Sequence, residues 1–322
     1  MPDQHTIQDR LTEAEQVLPT YELTFPSFRS RVSYAVRCRI PIKLKIAAAE
    51  LLGRVDAIRN REALERARRI TEGIVVGTHL EDEVEAIARR RLVENRVSSA
   101  GFWRTRWDRD AVLGGEHLHD AVASGRGTML SFCHIGCFHG SFAPVWTHER
   151  RVTYVPTNPW FLVPPDGSDW GFMVEHWRRR LKEIEARVVI MPGTFETLGA
   201  LLERGEVVMI AFDMPGSRKA DFLGKEVDLT AGTANIAFQT GSLVVPTRRR
   251  RRGLKLCIEY APPLDPNDFA DAESLQATLV AFHGNWILER PAALEDPNRP
   301  GAWENSALPS GWTRPPRSEE SC

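Results

Sequence analysis

Thr128-Met129-Leu130-Ser131-Phe132-Cys133-His134-Ile135-Gly136-Cys137-Phe138-His139 is the stretch from which the rest of this chain is read. Its first residues form an apolar strand, and the sequel from Phe138 through Trp146 reads as a helix. His134 is thereby placed at the carboxyl end of a strand, where open α/β sheets gather their ligands. An imidazole there can take a proton from an attacking hydroxyl or amine near neutral pH. It can equally do no more than bridge strand and helix by hydrogen bonds. Cys133, His134, Cys137 and His139 also offer the sulfur and imidazole ligands that zinc prefers. Alternation along a strand sends Cys133 and His134 to opposite faces, however, and no second ligand pair stands at finger spacing. Neither a metal nor a cofactor is therefore expected.

From Arg126 onward the chain alternates. Strands are expected near 128–133, 151–155, 187–191, 206–212, 243–250 and 254–260, and helices near 138–148, 169–186, 195–204, 232–240 and 272–288. Short strands separated by longer helices argue for an α/β fold with a mostly parallel central sheet flanked by helices. Residues 1–125 read as mainly helical, with an amphipathic segment from Glu62 to Gly73. Thr78-x-x-Glu81 reads as a capping box ahead of Leu80, Val84, Ile87 and Leu92. One domain is expected over 1–290, followed by a proline-rich, polar tail at 291–322 that is extended or partly disordered.

Composition narrows the function. A chain of 322 residues with 42% hydrophobic content can bury a full core. Its net charge of −1 gives no overall attraction to DNA. Five scattered cysteines suggest a reducing, cytoplasmic setting rather than a disulfide scaffold. The polar N-terminus does not read as a signal peptide, and no apolar run reaches the ~18 residues of a spanning helix. Residues 29–45 nevertheless carry Arg29, Arg31, Arg37, Arg39, Lys43 and Lys45, with no acid between Glu22 and Glu50. That surface suits phosphates on a lipid, a carrier, coenzyme A or tRNA, or is a solvated helix face.

Gly125-Arg126-Gly127, the strand, His134-x-Gly136, Phe222-Leu223-Gly224-Lys225, Thr230-Ala231-Gly232-Thr233-Ala234 and Val244-Val245-Pro246 follow one another in that order. With Gly115-Glu116-His117-Leu118, Asn158-Pro159 and Leu202-Glu203-Arg204-Gly205, the set resembles the lysophospholipid-acyltransferase-like superfamily over roughly residues 20–290. The likeness is greatest to its lipid A (lauroyl-type) branch, which also holds phosphatidylinositol mannoside acyltransferases. The resemblance implies acyl transfer with His134 as general base. It also implies a His-x4-Asp/Glu pattern, and the chain departs from it by carrying His139 at the acid position. Asp213, after the strand Val207–Phe212, is the best substitute carboxylate, since two strand ends can converge on one crevice. A lost N-terminal anchor is a second departure from many lipid A acyltransferases.

The remaining candidates are substrate-binding. Amides beside Gly136, or the loop Met214–Lys219 with Arg218, are expected to hold an oxyanion or phosphate. In the run Arg248–Arg252, inward members such as Arg248 or Arg250 can meet substrate charge. Asn158 is grouped with the site, and Trp160 and Phe161 beside it can line an acyl channel or belong to the core. The expected function is a soluble acyltransferase, its donor an acyl carrier protein, coenzyme A or aminoacyl-tRNA and its acceptor a hydroxyl or amine on a small molecule or lipid, in a natural-product setting. A lipid or glycolipid acyltransferase in peripheral contact with a membrane, or a degenerate acyl-binding homologue, are the alternatives.

Overall fold

Thr128–Phe132 is buried along its whole length because both of its faces are covered, as a central parallel strand requires. The computed structural model describes residues 6–25, 27–191 and 194–295. Helices α1 (Ile7–Ala14), α2 (Phe28–Arg39), α3 (Ile42–Arg59), α4 (Arg61–Val75) and α5 (Val84–Phe102) precede the sheet. Then come β1 (Ala111–Leu113), α6 (Gly115–Ala123), β2 (Thr128–Phe132), α7 (Ala143–Thr147), β3 (Thr153–Thr157), α8 (Asp169–Glu183), β4 (Ala186–Ile190), α9 (Thr194–Glu203) and β5 (Val207–Ala211). The chain continues through β6 (Pro215–Phe222), β7 (Lys225–Leu229), α10 (Gly232–Thr240), β8 (Leu243–Arg252), β9 (Lys255–Tyr260) and α11 (Ala272–Glu289).

Among the described residues the main sheet runs β1-β9-β8-β2-β5-β3-β4, parallel throughout except for the β8–β9 hairpin. One face packs on α1, α9, α10 and α11 through residues such as Met129, Val208, Leu201, Ala237 and Leu279. The opposite face packs on α6, α7 and α8 through Leu130, Met209, Leu118, Val145 and Leu181. The expected α/β fold with a mostly parallel sheet is what forms. None of the described helices is long and apolar enough to cross a membrane.

Four local expectations are corrected. The helix expected from residue 138 begins only at Ala143, because Gly140 turns at φ +132° against the Trp107 ring and Pro144 suits a first turn. No capping box forms at Thr78: its hydroxyl donates to the Val75 carbonyl and accepts from the Leu80 amide, while the Glu81 carboxylate accepts from Gly77. The segment after Asp213 is strand β6 rather than a loop, paired with β7 through a tight turn in which Leu223 and Gly224 both take positive φ. Finally, Pro291–Glu295 is part of the folded body: it forms a short 3-10 turn, and Leu294 bridges antiparallel to Ile135. The tail expected over 296–322 lies outside the described residues.

Candidate active site

The carboxyl ends of β2 and β5 are neighbours, because these strands pair in parallel with Phe132 opposite Ala211. Two residues beyond each end stand His134 and Asp213. The Asp213 carboxylate contacts His134 twice: Oδ1 lies 2.7 Å from Nδ1, and Oδ2 accepts the His134 backbone N–H at 2.9 Å. An ionised carboxylate only accepts, so this contact assigns the ring proton to Nδ1 and leaves Nε2 with a free lone pair. Nε2 has no hydrogen-bond partner among the described residues. Asp213 is fully buried and the His134 side chain is 16% exposed, so solvent reaches the imidazole and not its carboxylate. The Phe138 ring lies edge-on to the imidazole, with centroids 4.6 Å apart.

His139 does not join this pair. It sits in an aromatic box, its ring centroid 4.0 Å from Phe138, 4.8 Å from Phe102 and 6.3 Å from Trp107. Burial, reinforced by His134, Arg249 and His176 nearby, lowers its pKa to about 3, so the ring is neutral at ordinary pH.

The loop that carries His134 is clamped from two directions. From the C-terminal segment, the Ala293 carbonyl accepts the Gly136 amide at 2.6 Å, and the Glu295 amide donates to the His134 carbonyl at 2.9 Å. Arg91 of α5 holds that segment in turn, donating to the Leu294 and Pro291 carbonyls. From β8, Arg249 donates to the Cys137 carbonyl at 2.9 Å. Arg249 shares Asp110 with Arg104 in a buried cation–anion–cation triad.

The substrate-binding candidates are placed as follows. The Gly136 amide, expected to face an oxyanion, is engaged by Ala293. Arg218 projects from β6 and lies 3.4 Å from the exposed Glu273. Asn158 follows β3 on the same edge of the sheet as His134, and its carbonyl accepts from Phe161 to close a 3-10 turn. Phe161 packs on Trp177 at 4.4 Å. Arg248 is buried: its guanidinium donates to Glu259 and Glu289 and lies 4.4 Å over Trp286. It belongs to the packing of α11 on the sheet, which corrects its expected role towards substrate. The member of the arginine run nearest the site is Arg249, not Arg250, which pairs with Glu259 at 3.1 Å. Strand β8 is covered on both faces as far as Arg249, so Arg248 and Arg249 are both buried although they alternate, and the sequence held no sign of which of them faced His134. Arg91, Arg104 and Asp110 lay too far from the motif in sequence to be read as its supports.

The family model described as bacterial lipid A biosynthesis acyltransferase matches residues 84–294. Two curated relatives, phosphatidylinositol mannoside acyltransferases from the H37Rv and CDC 1551 strains of Mycobacterium tuberculosis, are each 26% identical over 202 residues. The match takes in 58% of this chain and spans only 61% of each relative's length. Among solved structures, the 1-acyl-sn-glycerophosphate (LPA) acyltransferase PlsC from Thermotoga maritima is similar over 80% of this chain and 97% of its own. That likeness has 14% identity and a TM-score of 0.38.

Proposed function

Because this chain belongs to the bacterial lipid A biosynthesis acyltransferase family, we propose that it is an acyltransferase whose general base is His134, oriented by Asp213. The observation that carries this reading is the 2.7 Å contact between Nδ1 and Asp213, which leaves Nε2 ready to accept a proton. In the reaction, Nε2 removes the proton of an acceptor hydroxyl or amine as its oxygen or nitrogen attacks the carbonyl of a thioester or ester donor. The buried Asp213 carboxylate stabilises the imidazolium that forms. Collapse of the tetrahedral intermediate breaks the bond to the donor, and the imidazolium returns the proton to the departing thiolate or alkoxide. His139, held neutral in its aromatic box, takes no charge-bearing part.

A second observation favours a lipid or glycolipid acceptor presented at a membrane surface over a small molecule in solution. Helices α2 and α3 leave Phe28, Val32, Val36 and Ile40, then Leu44, Leu51, Val55 and Ile58, exposed at helical spacing. Arg29, Arg31, Arg37, Arg39 and Lys43 are interleaved with them. An apolar stripe flanked by cations fits the interface of an anionic bilayer.

The test is a panel of acyl-coenzyme A, acyl-carrier and aminoacyl-tRNA donors, each with hydroxyl, amine and lipid acceptors, followed by mass spectrometry. Transfer is expected with the wild-type protein and is expected to fall by about 10²–10⁴-fold in His134→Ala, the usual worth of a general base. Donor retention without turnover in either protein would instead identify an acyl-binding homologue.

A further inference from the structure

Away from His134, the corner between α2 and α3 forms one wall of an open cavity of about 520 Å³. Arg104, Thr105, Arg106, Arg109, Asp110 and Ala111 form a second wall, and Leu254 to Leu256 at the start of β9 a third. This is the size range in which proteins hold small organic ligands. Its charge is one-sided. Arg39, Lys43, Arg104, Arg106, Arg109 and Lys255 line it against a single lining acid, Asp110. Asp110 is already held by Arg104 and Arg249, and Arg106 pairs with Asp108. Arg39, Lys43, Arg109 and Lys255 form no ion pair or hydrogen bond among the described residues. Four cations from four separate segments, of which only Arg109 has an acid (Asp108) near enough to offset its charge, therefore converge on one cavity.

The backbone adds to this field. Helix α3 is 18 residues long and starts at the cavity wall, with Pro41 at its N-cap, no side-chain cap and no acid in its first turn. The Ile42 and Lys43 amides there lie at the positive end of the helix dipole. Arg104, only 5% exposed, is part of the wall, and its guanidinium is held by Asp110 and the Trp107 carbonyl. A cation cluster in a cavity and an uncapped helix start at its wall share one ligand chemistry, that of a multiply charged oxyanion.

We infer that this cavity is a binding site for a phosphate group of an organic phosphate, separate from the His134–Asp213 pair. Arg39, Lys43, Arg109 and Lys255 supply the charge, and the first amides of α3 supply directed donors. The volume exceeds that of a bare phosphate, so the rest of the ligand occupies the cavity beside Cys38, Ile42 and Leu256. Through Asp110 and Arg249 the site is joined to the Cys137 carbonyl in the His134 loop. The phosphate can arrive on a soluble molecule or on a lipid headgroup, since Ile40 at the cavity also continues the exposed apolar stripe of α2. The inference stands whether or not the protein transfers acyl groups.

The test is direct binding. Calorimetric titrations of wild type use inorganic pyrophosphate and adenosine 3′,5′-bisphosphate as soluble probes, and flotation uses phosphatidylcholine vesicles with and without phosphatidic acid. Arg109→Gln/Lys255→Gln removes two cations from walls that are not part of α2 or α3. Arg54→Gln/Arg59→Gln, at the far end of α3, is the control. Binding of a soluble probe that weakens at least about tenfold in the first variant and holds in the control supports a solution ligand, since each charged contact is worth about a factor of that size. Phosphatidic-acid-dependent flotation that weakens in the same pattern, with no soluble binding, supports a lipid headgroup. Equal binding of every probe by both variants and wild type, or no binding of any probe, overturns the inference. Circular dichroism on both variants separates loss of binding from loss of fold.

Discussion

An imidazole does not distinguish a carboxylate five residues along its own chain from one delivered by the next strand, provided that the oxygen lies within hydrogen-bond reach of Nδ1. In this protein the neighbour on β5 delivers it, and the oxygen that follows, Oδ2, also fastens the backbone of His134. Asp213 therefore sets the tautomer and the loop position together. Asp213→Asn is expected to lower acyl transfer by roughly 10²–10⁴-fold, with Nδ1 losing its anionic acceptor; a steady-state assay with dichroism to confirm folding checks it. His139 is expected to behave differently. His139→Glu, which would recreate the acid of the family pattern, places a carboxylate among Phe102, Trp107 and Phe138, where an anion is poorly solvated. That variant is expected to melt at lower temperature and to gain no activity. A rise in turnover would show instead that the position retains the acid's function.

At the scale of elements, helix α11 is fastened to β2 by one polar contact inside an apolar layer. His283 is fully buried; its Nε2 lies 2.9 Å from the Ser131 hydroxyl, and its ring stacks on Phe212 with centroids 4.8 Å apart. Burial lowers its pKa to about 4 from an ordinary 6.5, outweighing the opposite pull of Asp213. The unfolded chain takes up a proton here below pH 6.5 and the folded one does not until about pH 4. The stability contributed by neutral His283 is therefore complete above pH 6.5 and is lost as pH falls towards 4. At pH 5 the loss is about 2 kcal/mol for this residue alone. His139 and His176, both lowered to about 3 chiefly by burial, act in the same direction. The melting temperature is expected to drop between pH 7 and pH 5, and less steeply in His283→Gln; parallel curves for the two proteins would exclude His283 as a cause.

The segment Pro291–Glu295 is the second element on which the site depends. Leu294 is completely buried while its neighbours hold the His134 loop by backbone bonds. Leu294→Ala is expected to destabilise the fold by about 2–5 kcal/mol, as for other buried leucines. It is also expected to lower activity below the denaturation midpoint, because the clamp loosens before the core melts. Urea titrations monitored by fluorescence and by activity report the two separately. Coincident curves would mean that the clamp opens only with global unfolding.

For the whole molecule, a net charge of −1 conceals a strong asymmetry. The positive charge without nearby acids gathers on α2, at the start of α3 and around the cavity beside them, and the exposed apolar residues gather on the same two helices. Phe28 is 81% exposed and Ile58 80%, values that suit a surface covered by something other than water. The protein is expected to float with vesicles containing phosphatidylglycerol and to lose that binding in Leu51→Glu/Ile58→Glu, with its fold unchanged. Salt is expected to weaken flotation only in part, since the apolar contribution is unscreened. Flotation that persists in the variant would place the membrane contact elsewhere.

Local pattern alone determined most of the alternation of strands and helices from Arg126 to Glu289, though not β6, β7 or the start of α7, because core-facing residues recur with the period of the element that carries them. It also marked His134 at a strand end and Asp213 at another. Which strand ends meet was decided by the sheet order, in which β2 lies between β8 and β5 although more than seventy residues separate His134 from Asp213 in the chain. Long-range contacts likewise drew residues 291–295 against the His134 loop and buried Arg248 and Arg249, while the segment after Asp213 formed its own two-stranded hairpin. Periodicity records how a residue stands towards its own helix or strand. Partners delivered by another strand, and the neutralisation of a charge by an acid a hundred residues away, exist only once the layers have closed.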